Sequence, residues 1–178
     1  MSQRILLLET LAEEAMELLN ASEDVEKLVT DPLEEAEHTP LPGLIHKYTN
    51  RVLLMASGGC AINCRYCFRR HYPYPSQASL RHWEAAMETL RRRADIDELI
   101  LSGGDPFLLS DEYVDYILTE LDKIKHVEVV RIGTRTPVVL PYRITDELVA
   151  MLKKHHPVWI NTHFNHPREI TASARRAL

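Results

Sequence analysis

The stretch Arg51–Cys67, which reads RVLLMASGGCAINCRYC, decides the fold of this protein. It opens with the mostly apolar run Arg51–Ser57, and such a run is typical of a short strand buried in a parallel sheet. The loop that follows holds every cysteine of the chain, at positions Cys60, Cys64 and Cys67. An odd number of cysteines packed this closely cannot form a disulfide framework, so the pattern indicates a site for a metal ion or an inorganic cluster.

The pattern of an apolar strand followed by an amphipathic helix repeats along the rest of the chain. Further strands are predicted at Glu98–Leu101, Val127–Ile132 and Val158–Asn161. Helices are predicted at Ser79–Arg93, after the N-cap residues Ser110 and Thr145, and after Pro167. Four strand–helix units in succession predict an α/β fold with a parallel sheet and helices outside, in the form of a partial (β/α) barrel over residues 51–178. Its last strand is expected to be an open edge.

The residues before the first strand differ in composition from this body. Residues 1–30 have helical periodicity and are predicted to form a helical appendage, and residues 31–50 form an extended segment with prolines. The net charge is −9 in residues 1–37 and +4 in the remainder, which argues against nucleic acid as a partner and suits a small anionic ligand. The sequence contains neither a signal peptide nor a long apolar run, so we expect a soluble cytoplasmic protein that has no membrane partner.

The three cysteines allow two kinds of inorganic site. A cubane 4Fe-4S cluster has four irons, so three thiolates would leave one iron open to bind another group. The alternative is a structural zinc site without catalysis, in which His71 is the fourth ligand of a Cys3His set. A third possibility is a half-barrel that acts only as a subunit or a regulator. The spacing C-x3-C-x2-C, with Tyr66 before the last cysteine, favours the cluster.

This cysteine motif resembles the signature of the radical S-adenosylmethionine (SAM) enzymes. Several other segments resemble the lysine 2,3-aminomutase family within them, including its branch that makes β-lysine for elongation factor P. Those segments are Asp31-Pro32, PGLIHKY at 42–48, CAINCRYCFRRH at 60–71, SGGD at 102–105, RIGTRTPVVLP at 131–141 and WINTHFNHPRE at 159–169. The resemblance extends from about residue 31 to the end of the chain.

The resemblance implies roles for individual residues. The cluster ligands would be Cys60, Cys64 and Cys67, and Arg69 would hold the substrate carboxylate. The remaining positions would bind cofactors. The methionine end of SAM would be contacted by Gly103, Gly104 and Asp105. Near SAM would also lie Arg135 and His163, with Asn165 and His166 as further candidates. The phosphate of pyridoxal 5′-phosphate (PLP) would be bound by Lys47 and Arg51.

The function implied by the resemblance is an isomerase that moves the α-amino group of an amino acid to C3. The substrate would be free lysine, lysine destined for elongation factor P, or glutamate, and flavodoxin or ferredoxin would supply electrons. In this family the lysine that binds PLP follows a glycine-rich run, and none of the six lysines of this sequence does. We therefore expect this chain to carry the cluster and SAM half of the site, and to form a homo-oligomer or pair with a complementing polypeptide.

Overall fold

The computed structural model describes residues 31–77, 80–155 and 157–178, so the helix expected in residues 1–30 lies outside the described residues. Five strands and six α-helices alternate along the described chain. The strands are β1 (Leu44–Tyr48), β2 (Arg51–Ser57), β3 (Glu98–Gly103), β4 (Val129–Thr134) and β5 (Val158–Thr162). The helices are α1 (Tyr74–Gln77), α2 (Leu80–Arg92), α3 (Asp111–Asp122), α4 (Thr136–Val139), α5 (Asp146–Leu152) and α6 (Ala172–Ala177).

The strands form one sheet in the order β1-β2-β3-β4-β5. Strands β2 to β5 are parallel to their neighbours, and helices follow each of them, which confirms the predicted α/β fold with four strand–helix units. The added strand β1 pairs antiparallel with β2 and lies in the segment expected only to be extended. Its pairing depends on the turn at Thr49–Asn50, which the sequence pattern did not predict.

The core lies between the sheet and the helices. Val52, Leu54, Leu99 and Leu101 alternate along β2 and β3 and pack with the buried apolar faces of α2, α3 and α5. Both predicted N-caps are present, since the hydroxyl of Ser110 accepts a hydrogen bond from Tyr113 N and that of Thr145 accepts one from Leu148 N. Side chains between these core positions point to the opposite face of the sheet, because strand side chains alternate.

The end of the chain differs from the prediction in detail. A single helix was expected after Pro167, but a 3-10 turn at Pro167–Glu169 precedes the short helix α6. Strand β5 lies at the edge of the sheet and exposes 57% of Trp159 and 41% of Ile160. Within the described residues, none of the helices is both long and apolar enough to cross a membrane.

Candidate active site

The cysteine loop, residues 58–71, leaves the carboxyl end of β2 and carries the three thiols at the surface. Cys60 is exposed, Cys64 and Cys67 are half-buried, and all three are free. A turn in which Cys67 N donates to Cys64 O at 3.1 Å holds the second half of the loop. Burial, followed by the charges of Asp105, Cys67 and Cys64, raises the pKa of the Cys60 thiol. Of the three cysteines, Cys60 is therefore the most open to solvent, and it holds its thiol proton more tightly than a free cysteine does.

Two glycines at the end of β3 let this strand approach the cysteine loop closely. Gly104 N donates to Ser57 O at 2.7 Å, and Asp105 N donates to Gly59 O at 2.7 Å. A Cβ atom on Gly104 would lie 2.1 Å from Gly59 O, and Gly103 has a φ of +120°, which side chains rarely adopt. The Gly-Gly-Asp motif therefore fixes the backbone immediately before Cys60.

The Asp105 carboxylate joins the loops that follow β3 and β4. One of its oxygens accepts from the Thr134 hydroxyl at 2.6 Å and from Phe107 N at 3.1 Å. The other accepts from Arg135 N at 2.8 Å and from Thr136 N at 3.1 Å. Because both oxygens of this buried group bind protein donors, Asp105 positions the backbone of Arg135 relative to the cysteine loop.

The Arg135 side chain connects the cysteine loop to the segment after β5. Its Nη1 lies 3.3 Å from Cys64 Sγ and 3.3 Å from the Tyr66 hydroxyl oxygen. Its Nε donates to His163 O at 3.2 Å, and its Nη2 pairs with Glu169 at 2.8 Å. The guanidinium therefore binds a thiol, a carbonyl and a carboxylate at once.

Two further contacts close this network around Arg135. Asn165 N donates to the second oxygen of Glu169 at 2.8 Å, and the Tyr66 hydroxyl donates to Asn165 Oδ1 at 2.7 Å. Burial alone would raise the pKa of Glu169, but the Asn165 N–H and the Arg135 guanidinium lower it. Burial alone would lower the pKa of Arg135, but contacts with Cys64 and Glu169 raise it. Both groups are therefore charged at neutral pH.

A second group of predicted residues lies at another place on the sheet. Lys47, Arg51 and Arg69 line one cavity of about 280 Å³, which the apolar side chains Leu53 and Ile100 also border. We call it the basic cavity. The Nε of Arg51 is buried and has no hydrogen-bond partner among the described residues. Lys47, Arg51 and the unpaired Arg51 N–H therefore offer charged donors to an anion in this cavity, which the carboxylate of Glu35 also lines.

Arg69 differs from Lys47 and Arg51 because both it and the carboxylate that pairs with it are buried. Glu35 binds one edge of its guanidinium, with Nε to Oε2 at 2.8 Å and Nη2 to Oε1 at 2.6 Å. Its Nη1 lies 3.3 Å from the Ser102 hydroxyl oxygen. A guanidinium can donate to a second carboxylate with its other edge. In Arg69 that edge includes Nη1, the nitrogen that faces Ser102.

The structure brings together some of the predicted site residues and separates others. Around Cys64 it gathers Arg135, the backbone of His163, and Asn165. His166 instead caps the 3-10 turn that follows it, where its Nδ1 accepts from Arg168 N. The roles that the resemblance assigns to these residues stay predictions.

Sequence reasoning missed the two carboxylates that pair with the predicted arginines. Glu169 lies inside the segment 159–169 that carries the resemblance, four residues after Asn165. That position could have identified it as a candidate site residue. Glu35 lies in a turn without periodicity, and its partner Arg69 is 34 residues away. No local pattern connects the two.

The described residues contain no ready-made site for a single metal ion. A zinc ion needs all of its ligands within about 2.0–2.3 Å of one point. Among the described residues, no three His, Cys, Asp or Glu side chains are grouped so that they could hold a single metal ion. A cubane cluster bonds each thiolate to a different iron, so it tolerates cysteines that are spread along a loop.

Comparison with known proteins points to the same chemistry. Residues 54–177 match the radical SAM superfamily. The chain is 50% identical over 165 residues to the L-lysine 2,3-aminomutase of Clostridium subterminale, covering 92% of this chain and 39% of that protein. It is 46% identical over 151 residues to the enzyme of the same name from Escherichia coli, covering 84% and 44%.

The chain therefore spans about two fifths of the length of the curated relatives it matches. The superfamily match extends over most of the residues, from the middle of β2 to the end of α6. It includes the cysteine loop, the Gly-Gly-Asp motif and the Arg135 network. In this superfamily a 4Fe-4S cluster and SAM are the cofactors, and this chain belongs to the radical SAM superfamily.

Proposed function

We propose that this chain is the cluster- and SAM-binding part of an amino acid 2,3-aminomutase, which moves the α-amino group of L-lysine to C3 to give β-lysine. The observation that carries the proposal is the joining of Cys64 to the ends of β4 and β5 through Arg135. Relatives named L-lysine 2,3-aminomutase support the choice of reaction. In this proposal residues 51–178 are the partial barrel, and residues 31–50 add the antiparallel strand β1 to its sheet.

The cysteine loop would hold the cluster through Cys60, Cys64 and Cys67. When bound there, the cluster and SAM would supply the radical chemistry needed to remove a hydrogen atom from C3 of the substrate. The chain's own residues keep the site in place. Gly104 and Asp105 hold the loop backbone, and Arg135 places a positive charge beside one thiolate ligand.

The basic cavity would bind the organic anions of the reaction. Lys47 and Arg51 would take the phosphate of PLP, and Arg69 would take the substrate carboxylate with the guanidinium edge that Glu35 leaves free. Lys47 Nζ now donates to Leu33 O at 2.8 Å, and Arg51 pairs with Glu98 at 2.7 Å. Each cation can exchange one of these contacts for a phosphate oxygen, because a phosphate presents several strong acceptors.

The proposal also names partners and a location. A cytoplasmic flavodoxin or ferredoxin would deliver the electron that the cluster needs. A homo-oligomer or a complementing polypeptide would cover β5, because an exposed edge strand is a template for further pairing. The substrate is a small amino acid rather than nucleic acid or membrane.

Anaerobic reconstitution with iron and sulfide tests the core of this proposal. We expect about four irons and four sulfides per chain, an electron paramagnetic resonance signal after reduction with dithionite that changes on addition of SAM, and slow release of 5′-deoxyadenosine. Cys60→Ala, Cys64→Ala and Cys67→Ala should each abolish iron retention, whereas His71→Ala should not. Stoichiometric zinc without iron uptake in protein purified without oxygen would support the Cys3His alternative instead.

Isotope transfer tests the substrate. Together with a polypeptide that supplies the PLP-binding lysine, and with PLP, SAM and dithionite, L-lysine deuterated at C3 should transfer deuterium to 5′-deoxyadenosine, and the same label in L-glutamate should not transfer. Transfer from glutamate but not from lysine would reject lysine as the substrate while leaving the radical SAM chemistry intact.

A further inference from the structure

Arg135 donates a hydrogen bond to a cysteine sulfur, and three further protein groups hold its guanidinium there. Its Nη1 is 3.3 Å from Cys64 Sγ, while Glu169, His163 O and the Tyr66 hydroxyl take its other donors. Only 14% of the Arg135 side chain is exposed. The guanidinium is therefore fixed in position before any cofactor binds.

We propose that Arg135 tunes the reduction potential of the cluster by donating an N–H to the sulfur of Cys64, and that Glu169 is the positioning residue that keeps it there. The inference rests on the proposed function, since it takes Cys64 as a cluster ligand. It differs from contact with SAM, which the resemblance implies for this arginine.

The physical reason is the charge that the cluster gains. Reduction by dithionite adds one electron to the cluster and no bond is made or broken, so the reduced state is more negative by one unit. A positive charge and a hydrogen bond at a ligand sulfur stabilise the more negative state and raise the potential. The half-buried setting of Cys64 strengthens this effect, because solvent screens it less.

Glu169 contributes in two opposite ways that experiment can separate. Its negative charge by itself opposes reduction. Its contact with Nη2 at 2.8 Å, however, keeps the guanidinium on Cys64, and Asn165 N fixes its other oxygen. Loss of the carboxylate from the wild-type chain therefore releases the arginine, whereas the same loss in a chain without Arg135 only removes a negative charge.

The experiment is a dye-mediated redox titration of the reconstituted full chain without SAM, followed by electron paramagnetic resonance. We expect Arg135→Gln to make the reduced state at least tenfold less favoured, which is 59 mV toward more negative potential for a one-electron couple. Arg135→Lys should recover part of this shift because it keeps the charge. Arg143→Gln, which removes a paired arginine on another loop, is the matched control and should leave the potential unchanged.

Glu169→Ala should shift the potential negative in the wild-type chain and positive in the Arg135→Gln chain. Glu169→Gln retains an acceptor for Nη2, so it should not shift the potential negative. If Arg135→Gln holds too little iron to titrate, the Arg135→Lys and Glu169→Ala shifts decide the question. Potentials equal to wild type, or a shift seen only with SAM present, would overturn the inference. A wild-type chain that takes up no cluster would instead reject the proposed function.

Discussion

The cysteine loop and the basic cavity use charged side chains in opposite ways. At the loop, Asp105 binds backbone and Arg135 binds a sulfur, and of the three cysteines Cys60 is exposed while Cys64 and Cys67 are half-buried. In the basic cavity, the buried Arg69 is already neutralised by the carboxylate of Glu35. Contacts to backbone and to one sulfur therefore organise the loop, whereas the cavity contains a buried ion pair.

The buried pair of the basic cavity gives the largest expected effect. Glu35→Ala should lower the free energy of unfolding by about 3–5 kcal/mol, because it leaves the Arg69 guanidinium buried without its counter-charge. Urea denaturation measures the change. Glu88→Ala is the control, since the pair of Glu88 with Arg92 lies on the surface of α2 and is worth only about 0–1 kcal/mol.

Two further measurements test whether this ion pair stabilises the fold. Equal losses for Glu35→Ala and Glu88→Ala would mean that the Arg69 pair does not stabilise the fold. Replacement of both Glu35 and Arg69 by Met should restore much of the stability lost in Glu35→Ala, because a buried pair is often replaceable by apolar side chains of similar volume.

The cysteine loop should be sensitive to backbone crowding rather than to charge. Gly104→Ala forces a Cβ to within 2.1 Å of Gly59 O, so the loop must move. We expect a loss of about 1–3 kcal/mol in stability, together with reduced iron uptake on reconstitution. Gly133→Ala is the matched control, because its Cβ would lie 3.7 Å from Ser102 Oγ, an ordinary contact.

Gly133→Ala should therefore keep both stability, within about 0.5 kcal/mol, and full iron content. Full iron content in Gly104→Ala would show that the Gly-Gly-Asp motif does not position the cysteine loop. Equal stability losses in the two variants would show that the loss comes from replacing a glycine in general, and not from crowding against Gly59 O.

Most of the fold could be predicted from local sequence patterns. The strands β2 to β5 and the caps Ser110 and Thr145 were predictable because apolar periodicity and capping depend on residues a few positions apart. The predicted strand Val127–Ile132 was displaced by two residues from the observed β4, Val129–Thr134. Strand ends depend on pairing with β3 and β5, which sequence patterns do not specify.

The candidate site was only half predictable for the same reason. The cysteines and Arg135 lie in distinctive motifs, so they could be named from the sequence. The carboxylates Glu35 and Glu169 are each 34 residues from the arginine they bind, and local patterns do not distinguish these two among the 26 acidic residues of the sequence. Only the path of the chain in space selects these two.

A third charged cluster, outside both regions, is expected to give the smallest effect and makes the stability depend on pH. His155 lies after α5, with Nδ1 at 2.6 Å from Asp122 and Nε2 at 3.0 Å from Asp115, both on α3. Burial opposes protonation, but the two carboxylates raise the pKa of His155 above its ordinary value of 6.5. Because both carboxylates are partly exposed, solvent screens the interaction and limits its size.

The sign follows from proton linkage. The folded chain holds the proton of His155 more tightly than the unfolded chain does, so the stabilisation is complete below pH 6.5 and is lost as the pH rises through the folded-state pKa. We expect His155→Gln to cost more free energy of unfolding at pH 6 than at pH 9, as measured by urea denaturation of both proteins in matched salt. Arginine does not titrate in this range, so Glu35→Ala, which leaves Arg69 unpaired, should cost nearly the same at both values. A larger cost of His155→Gln at pH 9 would mean that neutral His155 makes the stronger contacts with α3. Protonation of His155 would then not stabilise the fold.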